Sequence, residues 1–265
     1  MAIEPVGRRA QLEDANQALL ATHRGTLIVA AFEDLVYSGT LPTHYPVTAM
    51  GRNAAAGTGF EDLWDYGGDH TEITVAAAVY VSSSSASDVT AVKVTGLDAN
   101  WATQTVTQVL AGQTKTLVGT TQTWMRVFEI ENVGAAAFVG DVYCYLDDTV
   151  TAGVPQTAGK IQAKAPIGTG RSMCGRFTIP AGYTGYIKSF FASISAAGVS
   201  QIDLMVKPFG LAPHVMYTQD VYFNGLLLIS AIPLIVYEKS DLYLRGKNAS
   251  SGAVGGVFQG WYEVT

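Results

Sequence analysis

Charged side chains are scarce in this sequence, and their scarcity excludes some kinds of partner. The chain of 265 residues has 16 Lys and Arg against 22 Asp and Glu, so 14% of it is charged and its formal net charge is −6. An average soluble domain carries about 25% charged residues. Because neutralising nucleic-acid phosphates requires clustered Lys and Arg, we expect no binding of DNA or RNA. The apolar fraction of 48% supplies a sizeable core and argues against disorder of the whole chain.

Cysteines and long apolar runs are also few. Cys144 and Cys174 belong to no C-x-x-C pair, so the sequence predicts two ordinary thiols rather than a disulfide or a zinc site. The longest apolar run, residues 225–237, is shorter than the roughly 20 residues that span a bilayer, and Pro233 interrupts it. The first residues include Glu4 and no apolar segment. We therefore expect no secretory signal, no membrane partner and synthesis in a cytoplasm.

Motifs of catalytic sites are missing as well. The four histidines form no H-E-x-x-H pattern, and no G-x-S-x-G serine motif is present. Partial matches to phosphate-binding and dinucleotide-binding loops, near Lys160 and Met173, lack required residues. The adjacent Asp147 and Asp148 fit a turn at a strand end better than a general acid and base. We predict that the chain is not an enzyme and that it binds no cofactor and no metal.

Glycine and proline, by contrast, are frequent and separate short β-prone runs. The chain has Gly 28 and Pro 9, and from residue 71 onwards apolar and polar residues alternate between turn signals. The runs recur about every 8 to 12 residues, and the segment at residues 180–183 predicts a hairpin turn. We predict an all-β, antiparallel fold over residues 70–265, a jelly-roll-like β-sandwich. If this region forms two halves, the loop at residues 151–160 is the expected boundary.

The first part of the chain has a different pattern. Residues 11–23 contain helix formers and are followed by Arg24 and Gly25, which predicts one short helix. The turn-forming residues that follow give no hydrophobic period. Residues 1–69 are therefore predicted to form an extended N-terminal arm whose order depends on a partner.

Acidic residues gather near the end of this predicted arm. Glu61, Asp62, Asp65 and Asp69 lie close in sequence to His70. One interpretation is a cation site, since hard cations take several carboxylate oxygens, although the spacing matches no EF-hand. The interpretation that we favour is a Gly-Gly turn that leaves the acids in solvent while the neighbouring tryptophan packs on the core.

Several segments together resemble a group of virion structural proteins of tailed bacteriophages. The group has a G-R-N segment, then E-D-x-W-D-x-G-G, a serine-rich break with a following Asp, and a G-L-D-A-N-aromatic turn. In this sequence these lie at residues 50–53, 60–69, 82–88 and 94–101. Segments similar to the second half of the group lie at residues 177–183, 206–210 and 241–245.

The resemblance implies a component of the virus particle, and within that class we favour a capsid decoration or cement protein. Such a protein would form a homotrimer whose arm and one face hold the major capsid protein. Two alternatives stay open: a tail, collar or baseplate component that binds a receptor or carbohydrate, and a β-sandwich enzyme that hydrolyses polysaccharide. The candidate interaction residues are Arg52, Asn53, Glu61, Asp62, Trp64, Asp65 and Asp69.

Overall fold

A computed structural model describes residues 19–23, 26–30, 32–194, 199–222, 226–249 and 252–265. The paired strands among these residues are all antiparallel. The predicted all-β, antiparallel class is therefore confirmed. Helical structure in the described part of the chain consists of α1, Phe32–Tyr37, and a 3-10 turn at Ala158–Lys160.

The strands of the described residues are numbered in chain order. They are β1 (Leu19–His23), β2 (Thr26–Ala30), β3 (His44–Ala56), β4 (Glu61–Asp62), β5 (Val79–Ser83), β6 (Ala91–Asp98), β7 (Thr103–Val109), β8 (Thr116–Leu117), β9 (Trp124–Asn132), β10 (Val142–Leu146), β11 (Val150–Thr151), β12 (Val154–Pro155), β13 (Ile161–Ala165), β14 (Arg176–Thr178), β15 (Tyr183–Ile194), β16 (Val199–Lys207), β17 (His214–Tyr222), β18 (Leu226–Val236), β19 (Asp241–Asn248) and β20 (Gly252–Val264).

Two sheets share the first hydrophobic core. Their strand orders are β18-β15-β20-β3 and β14-β19-β16-β17, and β4 pairs with β19. Val47 and Phe258 from the first sheet meet Leu204 and Leu244 from the second in one buried cluster. We call this part, residues 32–63 and 175–265, the enclosing module, because its strands come from both ends of the chain.

A second core lies in the intervening residues 64–174, which we call the inserted module. Its sheets have the orders β13-β10-β5-β8 and β7-β6-β9. Val81 and Cys144 from one sheet pack with Val94 and Ile130 from the other. The boundary between the cores therefore lies near residues 63 and 175, and not at the loop of residues 151–160.

The predicted N-terminal arm is wrong from His44 onwards. Strand β3 pairs along almost its whole length with β20, and β4 pairs with β19. Val47, Ala49 and Leu63 are buried in the first core. The sequence hides this strand because its inward positions include small or polar residues, such as Gly51 and Asn53, which weaken the apolar alternation.

Two local predictions also fail. The short helix was predicted for residues 11–23, of which 11–18 lie outside the described residues, and Leu19–His23 forms a strand paired with Thr26–Ala30. The predicted hairpin at residues 180–183 is a corner instead, since β14 pairs with β19 whereas β15 pairs with β18 and β20. Gly182, at φ 78°, lets the chain pass there from one sheet to the other.

Candidate functional site

Both chain connections between the two modules pass through one region, and most predicted site residues lie there. Of the candidate interaction residues, Asn53, Asp62 and Trp64 are buried, whereas Arg52 and Asp69 are exposed. The structure thus brings five of the seven candidates into a bonded junction and leaves two at the surface.

Asn53 and Glu61 bind each other and the turn that follows. Asn53 Nδ2 donates to Glu61 Oε2 at 2.7 Å, and Asn53 Oδ1 accepts from the Ala55 amide at 3.0 Å. The same oxygen of Glu61 accepts from the Gly68 amide at 3.2 Å. These side chains therefore fix the backbone on either side of β4.

Trp64 fills the space beneath the turn. Its side chain is buried, and its Nε1 donates to the carbonyl oxygen of Gly68 at 2.8 Å. Its ring packs edge-on against His70, with ring centroids 4.8 Å apart, in a cluster that includes Tyr145 and Ile161 of the inserted module. Trp64 thus links the turn to strands β10 and β13.

Asp62, His70 and Arg176 form a buried ionic group across the module boundary. Arg176 Nη2 donates to Asp62 Oδ2 at 2.9 Å, and its Nη1 lies 2.7 Å from His70 Nδ1. His70 Nε2 lies 3.1 Å from the Gln162 carbonyl oxygen. Since that carbonyl can only accept, Nε2 carries the proton and Nδ1 accepts from Arg176. His70 is therefore neutral, and burial together with Arg176 lowers its pKa well below the ordinary value.

Two of the predicted acids are shielded from solvent, contrary to the interpretation that we favoured. Asp62 is 8% exposed, and desolvation raises its pKa although Arg176 opposes the shift. Asp65 Oδ2 accepts from the Met173 amide at 2.7 Å, and burial raises the pKa of Asp65 to about 6. Asp65 thus ties the two connections together, because it lies on the first and Met173 lies on the second.

A second ionic group was missed by sequence reasoning. Arg126 of β9 donates to both oxygens of Asp241 in β19, through Nε and Nη2, at 2.8 Å each. Thr178 also donates to Asp241, at 2.6 Å. Although burial disfavours a charged Arg126, its bonds to Asp241 raise the pKa of the guanidinium. The partners lie 115 positions apart, so no spacing in the sequence signals the pair.

The group of Asp62, His70 and Arg176 borders an open cleft of about 560 Å³ between the modules. Lys207 binds Glu72 across it at 2.5 Å, and the Arg245 guanidinium lies 4.5 Å from the ring centroid of Phe60. Arg176 Nε is buried and has no hydrogen-bond partner among the described residues. The cleft therefore offers cationic, anionic and aromatic groups to a ligand.

A second, more apolar groove of about 350 Å³ lies on the outer face of the β18-β15-β20-β3 sheet. Met50, Phe191 and Val257 contribute apolar side chains to it, and Arg52 lies at its side. Gly255 also lines the groove. A Cβ atom at this position would fill part of the groove and lie 3.3 Å from Ser193 Oγ.

The described ranges contain neither a metal-binding cluster nor a membrane-spanning helix. No group of three or more His, Cys, Asp or Glu side chains in them could hold a metal ion, so the cation-site interpretation gains no support. In the same ranges, no helix is long and apolar enough to cross a membrane.

Asp147 and Asp148 bind neighbouring loop groups. Asp148 accepts from the Thr157 amide at 2.7 Å, and Asp147 pairs with Lys115 at 2.5 Å. These bonds hold the loop that follows β10.

Both cysteines, Cys144 and Cys174, are free thiols and buried, and burial raises the pKa of Cys174 to about 12.

Comparisons with known proteins identify no family for this chain. No protein-family model and no curated protein matches the chain. Among solved structures, one titled "Structure of infectious bursal disease virus Gt strain" shares 9% identity at a TM-score of 0.19, covering 87% of this chain and 76% of that chain. The infectious bursal disease virus VP2 subviral particle shares 10% identity at a TM-score of 0.16, covering 88% and 82%. Similarity this weak carries no argument about function.

Proposed function

We propose that the chain is a structural component of a bacteriophage particle, a capsid decoration or cement protein that binds the coat shell as a homo-oligomer. Its location would be the virion, and its partners would be other copies of itself and the major capsid protein. The sequence segments that resemble tailed-phage virion proteins are one support for this proposal. The observation that carries it is the pairing order of the strands in the enclosing module.

We propose a jelly-roll arrangement for the enclosing module rather than for residues 70–265 as a whole, and the pairing order supports it. Counted along the chain with β4 and β14 as one strand, the eight strands pair first with eighth (β3 and β20), second with seventh (β14 and β19), third with sixth (β15 and β18) and fourth with fifth (β16 and β17). This is a long antiparallel ribbon folded into two sheets. Jelly rolls of eight strands recur in viral capsid and lectin domains.

The junction residues support a scaffold role for that region. Four of its polar side chains form hydrogen bonds within the protein, as expected of a structural element. They are Asn53, Glu61, Asp62 and Asp65. Contact with a shell would then fall to exposed groups, such as Arg52 beside the apolar groove. We propose that this outer sheet face meets the coat.

A cryo-EM map of the particle tests the proposal directly. We expect density for this chain on the shell in a copy number set by the capsid symmetry, with the sheet face that carries Arg52 turned toward coat subunits. As a biochemical test, Arg52→Glu should weaken binding to particles that lack the protein. Asp220→Lys, a charge reversal at an exposed position of β17 in the other sheet, is the control. Density confined to the tail would reject the cement role.

A tail component that binds receptor or carbohydrate is the second candidate, and the cleft between the modules favours it. Arg176 Nε is buried without a hydrogen-bond partner in the described part of the chain, and it could donate to sugar hydroxyls together with the nearby cleft groups Lys207 and Tyr243. Titration of the chain with purified bacterial surface polysaccharides separates the candidates. Saturable binding that Lys207→Ala abolishes would support the tail role, whereas no binding would support the cement role.

We further propose that the chain has no enzymatic activity and that it binds neither nucleic acid nor membrane. Hydrolysis of the same polysaccharides should stay at the buffer rate. Turnover that is lost in Asp65→Ala and Asp69→Ala would reject this and would favour the polysaccharide hydrolase.

A further inference from the structure

Strand β7 of the inserted module lies at the edge of its sheet without the features that usually protect an edge. It pairs with β6 over seven residues without a register shift, and within the described part of the chain no strand pairs with its other side. Its sequence, Thr-Gln-Thr-Val-Thr-Gln-Val, contains no charge and no proline. A regular, exposed edge of this kind is a template for pairing with another strand.

The other edge of the same sheet is occupied. In β9, the Asn132 amide donates to the carbonyl oxygen of Gly170 at 2.7 Å, and the carbonyl oxygen of Ile130 accepts from the Ser172 amide at 2.9 Å. Residues 170–172 therefore cover β9. The edge at which this sheet can take a further strand is β7.

The hydrogen bonds at the two ends of β7 show which of its backbone groups point outward. The carbonyl oxygen of Ala102 accepts from the Asp98 amide at 2.9 Å, and the Leu110 amide donates to the carbonyl oxygen of Thr90 at 3.0 Å. Since backbone groups alternate in direction along a strand, the even-numbered residues of β7 bond to β6 and the odd-numbered residues point away from it. The outward residues, whose side chains are also exposed, are Thr103, Thr105, Thr107 and Val109.

The sequence of β7 is nearly the same in both directions about Val106. An antiparallel second copy centred on this residue places threonine opposite threonine, glutamine opposite glutamine and valine opposite valine. The end pair, Thr103 with Val109, is the exception. In this register all seven residues overlap, and the outward backbone groups of the two copies face each other. Facing threonines on neighbouring strands also stabilise a sheet.

The side chains beside this edge suit a contact between two copies. Lys93, which lies opposite Thr107 on β6, pairs with Glu131 of β9, so its charge is compensated within one copy. On the other face, Val106 packs against the second core, while Gln104 Nε2 donates to the carbonyl oxygen of Thr123 at 2.8 Å. The edge strand itself brings no like charges together.

We propose that β7 pairs with β7 of a second copy, antiparallel and centred on Val106, and joins two three-stranded sheets into one of six strands. The contact is isologous, so the assembly is a two-fold dimer rather than the homotrimer that the resemblance implies. Four outward residues in each copy supply about eight backbone hydrogen bonds. The end pair requires Gln108 Nε2 to release the carbonyl oxygen of Val109, to which it donates at 3.2 Å. The inference deepens the proposed homo-oligomer and rests on that proposal.

Two charged double variants of the full-length chain break this contact. One carries Thr105→Lys and Thr107→Lys, and the other carries Thr105→Glu and Thr107→Glu, so each places like charges opposite each other in the dimer. The control carries Val139→Lys and Ile167→Lys, at side chains that are 56% and 59% exposed outside this sheet. By light scattering and ultracentrifugation at micromolar concentration, we expect dimers of the wild type and the control, and at least about tenfold weaker association of each charged variant.

Mixing the two charged variants tests the pairing itself. Lysine then lies opposite glutamate at both positions, so an equimolar mixture should form a dimer of unlike chains that neither variant forms alone. Native mass spectrometry resolves the species when one variant carries a heavy isotope label. A misfolded variant cannot restore this dimer, which separates loss of the contact from loss of the fold.

A single cysteine tests the register. Because the outward residues form the hydrogen-bonded pairs, residue 106 and its counterpart form a non-hydrogen-bonded pair with Cα atoms about 4.5 Å apart, within reach of a disulfide. We expect Val106→Cys to form a disulfide-linked dimer under mild oxidation, as seen on a non-reducing gel. Val139→Cys is the control and should stay unlinked. The native thiols of Cys144 and Cys174 are buried and should not compete.

Three results would overturn the dimer: a wild type that stays monomeric, a mixture without the unlike dimer, or a Val106→Cys chain that gives no linked dimer. Binding to particles is measured in parallel. Dimers that bind no particles would reject the proposed function alone, whereas a monomeric wild type that binds particles would reject the dimer alone. A monomeric wild type whose particle binding is lost in the lysine variant would show that a strand of another protein occupies the edge, which also rejects the dimer.

Discussion

At the scale of single residues, each buried charge between the modules depends on its partner. Removing one partner leaves the other charge buried and uncompensated, which destabilises the fold. Arg126→Ala would leave Asp241 buried without its cation, and we expect the free energy of unfolding to fall by about 3–5 kcal/mol. Urea denaturation measures it. The control is Lys93→Ala, because the partly exposed pair of Lys93 and Glu131 should contribute less than about 1 kcal/mol. Equal losses in both variants would contradict the argument.

The raised pKa of Asp65 predicts how the stability of the fold changes with pH. Its pKa is about 6 in the folded chain, against about 4 when unfolded, so the folded state binds this proton more tightly. The charged carboxylate therefore destabilises the fold above pH 6, and the penalty disappears as the pH falls through 6 toward 4. Asp65→Asn keeps an acceptor for the Met173 amide. It should stabilise the protein by about 1 kcal/mol at pH 8, a value reduced for partial exposure, and by nothing near pH 4.

His70 acts in the opposite direction in the same pH range. Because its pKa is lowered in the folded state, its contribution to stability is lost as the pH falls below about 6.5. This contribution is present in both the wild type and Asp65→Asn, so it cancels in their difference. Urea denaturation at pH 4, 6 and 8 isolates the Asp65 effect, and a difference that grew toward pH 4 would contradict it.

At the scale of elements, β3 approaches the returning chain so closely that only glycine fits. A Cβ atom on Gly51 would overlap the carbonyl oxygen of Leu63 and lie 2.7 Å from the Cα atom of Gly175. Since these are backbone atoms, Gly51→Ala should cost about 1–3 kcal/mol. Thermal unfolding measures this loss of stability. Gly59→Ala is the control, because the added Cβ atom there meets nothing within 4 Å. The same Tm in both variants would show that the strands can separate without cost.

The same elements show what the sequence could predict. Strands with alternating valines, such as β6, were found because one face is apolar and the other polar. Strand β3 was missed because its buried face carries alanine, glycine and asparagine, whose burial depends on the close approach of β14 and β20. The strand Leu19–His23 was missed because its pairing with Thr26–Ala30 outweighs a weak helical preference.

The candidate site was predicted in part for a similar reason. Local sequence grouped Glu61, Asp62 and Asp65, and the structure keeps them together because they lie on one connection between the modules. Their partners Arg176 and Met173 lie more than 100 positions away. Residues that meet only through the fold leave no spacing in one sequence, which is why both ionic groups needed the structure.

At the scale of the whole molecule, each module has its own hydrophobic cluster, and the ionic groups join them. Leu204 and Phe258 belong to one cluster, and Val94 and Ile130 to the other. Cooperative unfolding of the two modules then depends on polar contacts that cross the boundary, those of Arg176 with His70 and of Arg126 with Asp241. Polar contacts between modules are more easily uncoupled than an apolar core that both modules share.

Scanning calorimetry tests this dependence. We expect the wild type to unfold in one transition and the double variant His70→Ala with Arg126→Ala to unfold in two, because each module keeps its own core after the contacts of His70 with Arg176 and of Arg126 with Asp241 are removed. Arg245→Ala is the control, since Arg245 pairs with Asp203 inside the enclosing module at 3.1 Å. The control should lower Tm without splitting the transition. A single, merely shifted transition in the double variant would mean that the two cores unfold together without the ionic groups.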